Sequence, residues 1–274
     1  MKRLRISAIS YLNTAPLMWD FEHGNAGANF DISYTIPSQC AADLKAGTAD
    51  IGIIPAAAYT AIPDLVILPG VAIASKQAVR SILLVSKVPL DEITTVALDT
   101  SSMTSVALTK VLFAKWWKRT PKFTSMAPDI MQMLREHDAG LVIGDPALQI
   151  DRSRYITFDL AEEWIRFTGK PFVFAFWAVR RAAAENSDLD LAAIFQRSRD
   201  HGLEQVHQIA KDWAPRLGLT EESVTSYLKQ NIHYSLDADS LQGLRLFYQY
   251  AQEVNALPAA PPLHFHNLLR QTVA

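Results

Sequence analysis

Thr95-Val96-Ala97-Leu98-Asp99-Thr100-Ser101-Ser102-Met103-Thr104 reads as a short buried strand, a polar turn and the start of a helix, which continues at helical spacing through Val106, Leu108, Val111 and Leu112. A strand that passes into a helix through a hydroxyl-rich turn is the repeating unit of α/β domains. Similar units lie on both sides. Leu4 to Ile9 leads into Ser10-Tyr11-Leu12-Asn13-Thr14-Ala15-Pro16, with a helix predicted from about Pro16. Phe30 to Ile36 leads into Pro37-Ser38, where Ser38 suits the N-cap of a helix that Gly47 would close. Downstream, Gly140-Leu141-Val142-Ile143 precedes Gly144-Asp145-Pro146, with Pro146 placed to open a helix. Asp50 to Pro55 is a continuous apolar run of the kind found in buried parallel strands, and Leu65 to Ala74, Arg80 to Ser86 and Phe172 to Val179 are further strand candidates.

Because the pattern restarts after Pro89, the chain is read as two α/β lobes with a ligand cleft between them. Residues 1–88 and 175–274 form the first lobe, and residues 89–174 form the second, inserted into it. From about Asn186 the sequence is helical almost throughout. Leu189 to Trp213, Thr220 to Asn231 and Ala238 to Val254 are predicted to pack back on the first lobe, before Pro258, Pro261 and Pro262 loosen the tail. Ligands of open α/β sheets bind outside the carboxyl ends of the strands, where the polar turns lie.

Composition narrows the function. The 274 residues carry 26 Lys+Arg against 28 Asp+Glu, a formal charge of −2, with no basic surplus to attract nucleic acid. Apolar residues at 49% mark a globular chain, and a single Cys excludes an internal disulfide framework or a Cys-based zinc site. Lys2, Arg3 and Arg5 imitate the start of a secretory signal, but Ser7, Ser10, Asn13 and Thr14 interrupt the apolar stretch that should follow. Pro69 and Gly70 break the longest apolar run, which falls short of the ~18 residues needed to span a membrane. A soluble cytoplasmic protein without membrane partners is expected. The sequence leaves monomer or homodimer open.

The turns are rich in Ser, Thr and Asn and poor in charge. Ser38, the run Ser101-Ser102-Met103-Thr104-Ser105, and Gly144-Asp145 read as helix starts that would cradle a carboxylate or phosphate, or as ordinary helix caps. No G-x-x-x-x-G-K-[ST] or G-x-G-x-x-G turn is present, and no G-x-S-x-G elbow. His264-Phe265-His266 offers two imidazoles without a nearby carboxylate or Cys, so no metal is expected. Cys40 reads as a packed thiol, or as a thiolate favoured in the first turn of its helix. Lys115-Trp116-Trp117-Lys118-Arg119 is explained by buried tryptophans and cations at a helix C-terminus. Thr168-Gly169 is expected at a lobe-to-lobe crossing. There it is either a pocket element, with Trp164, Phe172, Phe174, Phe176 and Trp177 beneath a ring-shaped ligand, or a hinge with a Gly C-cap.

Taken together, several segments resemble the chorismate dehydratases. They are Arg5-Ile6-Ser7 to Tyr11-Leu12-Asn13 with Pro16-Leu17; Pro37-Ser38 to Gly47; Asp50-Ile51-Gly52; Val79-Arg80-Ser81-Ile82-Leu83-Leu84; Leu98 to Ser102 with Thr104-Ser105; Ile143-Gly144-Asp145; and Thr168 to Ala175. That family opens the futalosine route to menaquinone and has the two-lobed fold of type II periplasmic binding proteins. The resemblance runs from the N-terminus to about Trp177. The sister 1,4-dihydroxy-6-naphthoate synthases are an alternative, but they typically open with a Ser-Pro-x-Pro-Asn-Asp-like turn where this chain has Ser10 to Pro16. A non-catalytic small-anion solute-binding protein of the same fold is another. Pro55-Ala56-Ala57 departs from the family, where a hydroxyl is expected after the strand.

The resemblance implies chorismate as substrate and no cofactor. It implies catalytic roles for Asn13 and Ser81, orienting the substrate's enolpyruvyl carboxylate and the leaving hydroxyl, with Asp145 as a competing general base. Tyr11, Ser38, Arg80, Ser102, Met103, Thr104, Ser105, Gly144, Thr168 and Gly169 are the implied substrate-binding positions.

Overall fold

The computed structural model describes residues 3–266. Among them, β1 (Leu4–Ile9), β2 (Phe30–Thr35), β3 (Ile51–Pro55), β4 (Leu65–Ser75) and β10 (Phe172–Arg180) form one sheet in the order β2-β1-β3-β10-β4. A second sheet has the order β7-β6-β8-β5-β9, from β5 (Ile82–Ser86), β6 (Thr95–Asp99), β7 (Lys122–Met126), β8 (Ala139–Ile143) and β9 (Ile156–Asp159). The expected two-lobed α/β architecture is present. Each sheet keeps parallel neighbours, β1 beside β2 and β3, and β6 beside β7 and β8. The strands at the crossings run antiparallel: β10 against β3 and β4, and β5 against β8 and β9.

Sheet membership moves the expected boundary at 88/89. β5 pairs in the second sheet, so the chain enters that lobe between Ser75 and Ile82 and leaves it before Phe172. All five residues of β5 are buried, as suits an inner strand covered on both faces; such a run marks a strand without saying which sheet holds it. The half-exposed edge strands β7 and β9 lack that apolar signal.

The C-terminal helices touch both lobes rather than the first alone. Helix Leu191–Glu204 packs on the 3-10 segment Leu12–Met18, and helix Ala238–Glu253 packs on β10 and on helix Thr104–Val111. The predicted helix Leu189 to Trp213 breaks at Gln205. Gly202 permits the close approach, because a Cβ there would lie 2.0 Å from the Pro16 carbonyl oxygen. Ser198 Oγ donates to Leu17 O at 2.9 Å and accepts from Asp20 N at 3.0 Å, satisfying backbone groups at the end of that 3-10 turn. From Pro258 to His266 the tail is strapped rather than loose: Tyr59 Oη donates to Pro262 O at 3.0 Å, and Ile67 N donates to His264 O at 2.7 Å. No helix among the described residues is long and apolar enough to cross a membrane.

Candidate active site

The carboxyl ends of β1, β3, β6 and β8 face a narrow cavity of about 50 Å3. Tyr11, Asn13, Ser102, Thr104 and Ser105 supply its polar side chains, and Phe174, Ile82, Ile143 and Pro55 supply apolar walls. None of the lining side chains carries a formal charge. An anion held here would rely on hydroxyls, an amide and backbone N–H groups.

Three contacts draw the lobes together at the mouth. The Tyr11 ring lies against Gly144, so that a Cβ at Gly144 would fall 2.5 Å from Tyr11 Cε2. Gly144 has φ 67 and ψ −146, a conformation that side chains exclude. Next to it, Asp145 Oδ1 accepts the Leu12 N–H at 2.9 Å. Burial pushes the Asp145 carboxyl up to about 6, against a smaller opposing effect of that hydrogen bond. Further along, Ser38 N donates to Ser101 O at 3.1 Å. Under this closure lies Asp99, buried, with Oδ1 accepting from Ser101 N at 2.8 Å and from Ser101 Oγ at 2.6 Å. The Tyr11 hydroxyl lies beside Ser101, and its pKa is raised chiefly by burial.

At the start of helix Thr104–Val111, Ser102 Oγ accepts from Ser105 N at 3.3 Å. The Thr104 hydroxyl accepts from Ala57 N at 3.0 Å and donates to Phe174 O at 3.0 Å. It therefore ties the second lobe to the first, meeting the Ala57 backbone where the resemblance leads us to expect a hydroxyl.

Ser81 is held near Asn13 by a residue that the sequence reading did not single out. Tyr227 Oη donates to Ser81 Oγ at 2.8 Å, and the Asn13 side chain lies beside its hydroxyl. Asn13 faces the cavity, whereas Ser81 is fully buried behind the lining. Ser81 is fixed from its other side as well. Arg80 holds φ 65, in the left-handed region, with its N–H on Asp159 Oδ2 at 2.6 Å. Asp159 Oδ1 accepts from Val79 N at 3.0 Å and caps helix Leu160–Thr168 through Ala161 N and Glu162 N. Tyr227 lies in the π-helical turn Tyr227–Asn231 at the end of a helix read only as packing. A buried tyrosine in an amphipathic pattern gives no sign of a polar role.

Other expected positions lie elsewhere. Ser38 is not the N-cap: Ile36 is, Pro37 takes the first helical position, and Ser38 uses its backbone N–H across the lobes. The Arg80 guanidinium turns to Ser223 Oγ at 3.0 Å. Met103 is the N-cap residue of its helix and packs on the core, off the cavity. Thr168 Oγ1 donates to Trp164 O at 2.8 Å and Gly169 ends the helix in the left-handed conformation, the hinge arrangement rather than a pocket. Of the aromatics near that crossing, Phe174 alone lines the cavity; Trp164 packs with Phe172 and Phe247. Cys40 is buried with its thiol donating to Ser7 O at 2.9 Å, and burial pushes the thiol up to about 12. The described residues contain no group of three or more His, Cys, Asp or Glu able to hold a metal ion.

This architecture is that of the periplasmic-binding-protein class. A solved protein from Archaeoglobus fulgidus superposes with TM-score 0.76 at 17% identity, covering 93% of this chain and 99% of its own. The periplasmic aliphatic sulphonate binding protein of Escherichia coli does so with TM-score 0.64 at 17% identity, covering 95% and 90%. Residues 4–253 match the family profile described as menaquinone biosynthesis, and the chain belongs to that family. Among curated relatives, the chorismate dehydratase of Thermus thermophilus is 29% identical over 92% of this chain and 94% of its own.

Proposed function

We infer that the chain is a chorismate dehydratase, a carbon–oxygen hydro-lyase that eliminates water from chorismate to give 3-[(1-carboxyvinyl)oxy]benzoate in the futalosine route to menaquinone. The observation that carries this reading is family membership across residues 4–253, joined to an uncharged, hydroxyl-lined cavity containing Asn13. The proton that must leave C3 of the ring is vinylogous to the ring carboxylate. Donors at the mouth of helix Thr104–Val111 would stabilise the charge that develops there, as an oxyanion hole does. The C4 hydroxyl departs with that proton as water, and aromatisation drives the reaction forward.

No lining side chain is a strong base, so the enolpyruvyl carboxylate of the substrate itself takes the C3 proton in this reading. Asn13 and Ser81 orient it and the leaving hydroxyl. Asp145 as general base is favoured by its carboxyl at about 6, near the working pH of such catalysts. Its hydrogen bond to Leu12 N supports a clamp instead.

Purified protein mixed with chorismate is expected to yield the aromatic product, followed by absorbance and proton NMR. Asn13→Ala and Ser81→Ala should each lower turnover at least a hundredfold; near-normal rates in both would overturn their assignment. Binding of chorismate without conversion would favour a solute-binding protein, the reading that the Escherichia coli neighbour's fold suggests.

A further inference from the structure

We propose that Tyr227 is a positioning residue that fixes the Ser81 hydroxyl beside Asn13. The inference rests on the reading above, in which those two side chains orient the substrate. Tyr227 is fully buried, and its hydroxyl donates to Ser81 Oγ at 2.8 Å with the Asn13 side chain beside it.

The three residues come from separate parts of the chain. Asn13 follows β1 in the first lobe, Ser81 precedes β5 at the crossing into the second, and Tyr227 stands on the C-terminal helical region. A serine hydroxyl has a rotor that can point several ways. With Tyr227 donating to its oxygen, Ser81 Oγ keeps its own hydrogen free to donate elsewhere. Asn13 lines the cavity with Tyr11. The neighbouring contact of Arg80 with Ser223 places a second residue of this helical region against the same crossing, so the geometry does not depend on a lone side chain.

The test uses the full-length protein with chorismate, in four forms: wild type, Tyr227→Phe, Ser81→Ala and the double variant. Tyr227→Phe keeps the ring in the core and removes only the hydroxyl. Its kcat is expected to fall at least tenfold while KM stays within threefold of wild type. The double variant should be no slower than Ser81→Ala alone, as for residues that act as a unit. A Tyr227→Phe enzyme with unchanged kcat, or losses that multiply in the double variant, would overturn the proposal. A wild-type protein that makes no aromatic product would instead overturn the dehydratase reading, and the role of Tyr227 with it.

Discussion

Asp145, at the carboxyl end of β8 in the second lobe, accepts the backbone N–H of Leu12, just beyond β1 in the first, at 2.9 Å. Its carboxyl titrates near 6, against an ordinary 3.8. The folded protein therefore binds this proton more tightly than the unfolded chain, and the stability contributed by the group falls as pH rises from about 4 to about 6, then levels off. Asp145→Asn keeps an acceptor for Leu12 and removes the buried charge. Thermal unfolding should find it more stable than wild type at pH 7.5, by on the order of 3 kcal/mol at most, with the advantage fading near pH 4. If Asp145 is a clamp, turnover of chorismate by Asp145→Asn stays within tenfold of wild type. A fall of several orders of magnitude with affinity retained would make it the base.

Gly144→Ala confronts both a backbone conformation reserved for glycine and the Tyr11 ring 2.5 Å away. Strain of this kind costs about 1–3 kcal/mol, and the Tyr11 ring must swing aside to relieve the contact. Calorimetric titration with chorismate should show affinity weakened at least tenfold, while the far-ultraviolet circular dichroism is unchanged.

Gly202→Ala tests the support beneath Asn13. A methyl group at that position meets the Pro16 carbonyl oxygen at 2.0 Å, so the helix or the 3-10 turn has to move. Overpacking typically costs about 1–3 kcal/mol, and a lowered melting temperature should be accompanied by reduced turnover, although Gly202 lies outside the cavity lining.

Cys40 should be silent in the folded protein. With its thiol pushed to about 12 by burial, iodoacetamide at pH 8 is expected to leave it unmodified, and to label it fully once denaturant exposes it.

The strand-turn-helix units were legible because each couples a short apolar run to a turn whose hydroxyls and prolines mark a helix start. Thr95–Asp99 and Ala139–Ile143 appear where that pattern puts them. Which sheet a strand joins was not legible. The five buried residues of β5 fit either lobe, and only pairing with β8 and β9 decides. At the site, Tyr11, Asn13, Ser102, Ser105 and Gly144 lie on strand-to-helix turns and the first helical residues beyond them, which converge on the cavity. Thr168 and Gly169 satisfy a helix terminus, because a threonine and a glycine at that point serve a C-cap as readily as a pocket. Tyr227 was hidden for the opposite reason: it sits at a core-facing helical position, and its partners are some 146 residues away or more.

Among the described residues the last strand ends at Arg180, and Ser198, Gly202 and Tyr227 all follow it in the chain. Synthesis from the N-terminus thus delivers every strand of both sheets before the groups that brace Asn13 and Ser81. A nascent chain stopped after Arg180 would hold all the strands yet lack the supports of its reaction centre. On this ordering, activity arrives with the final third of the polypeptide and gives a more stringent readout of complete synthesis than the presence of the sheets.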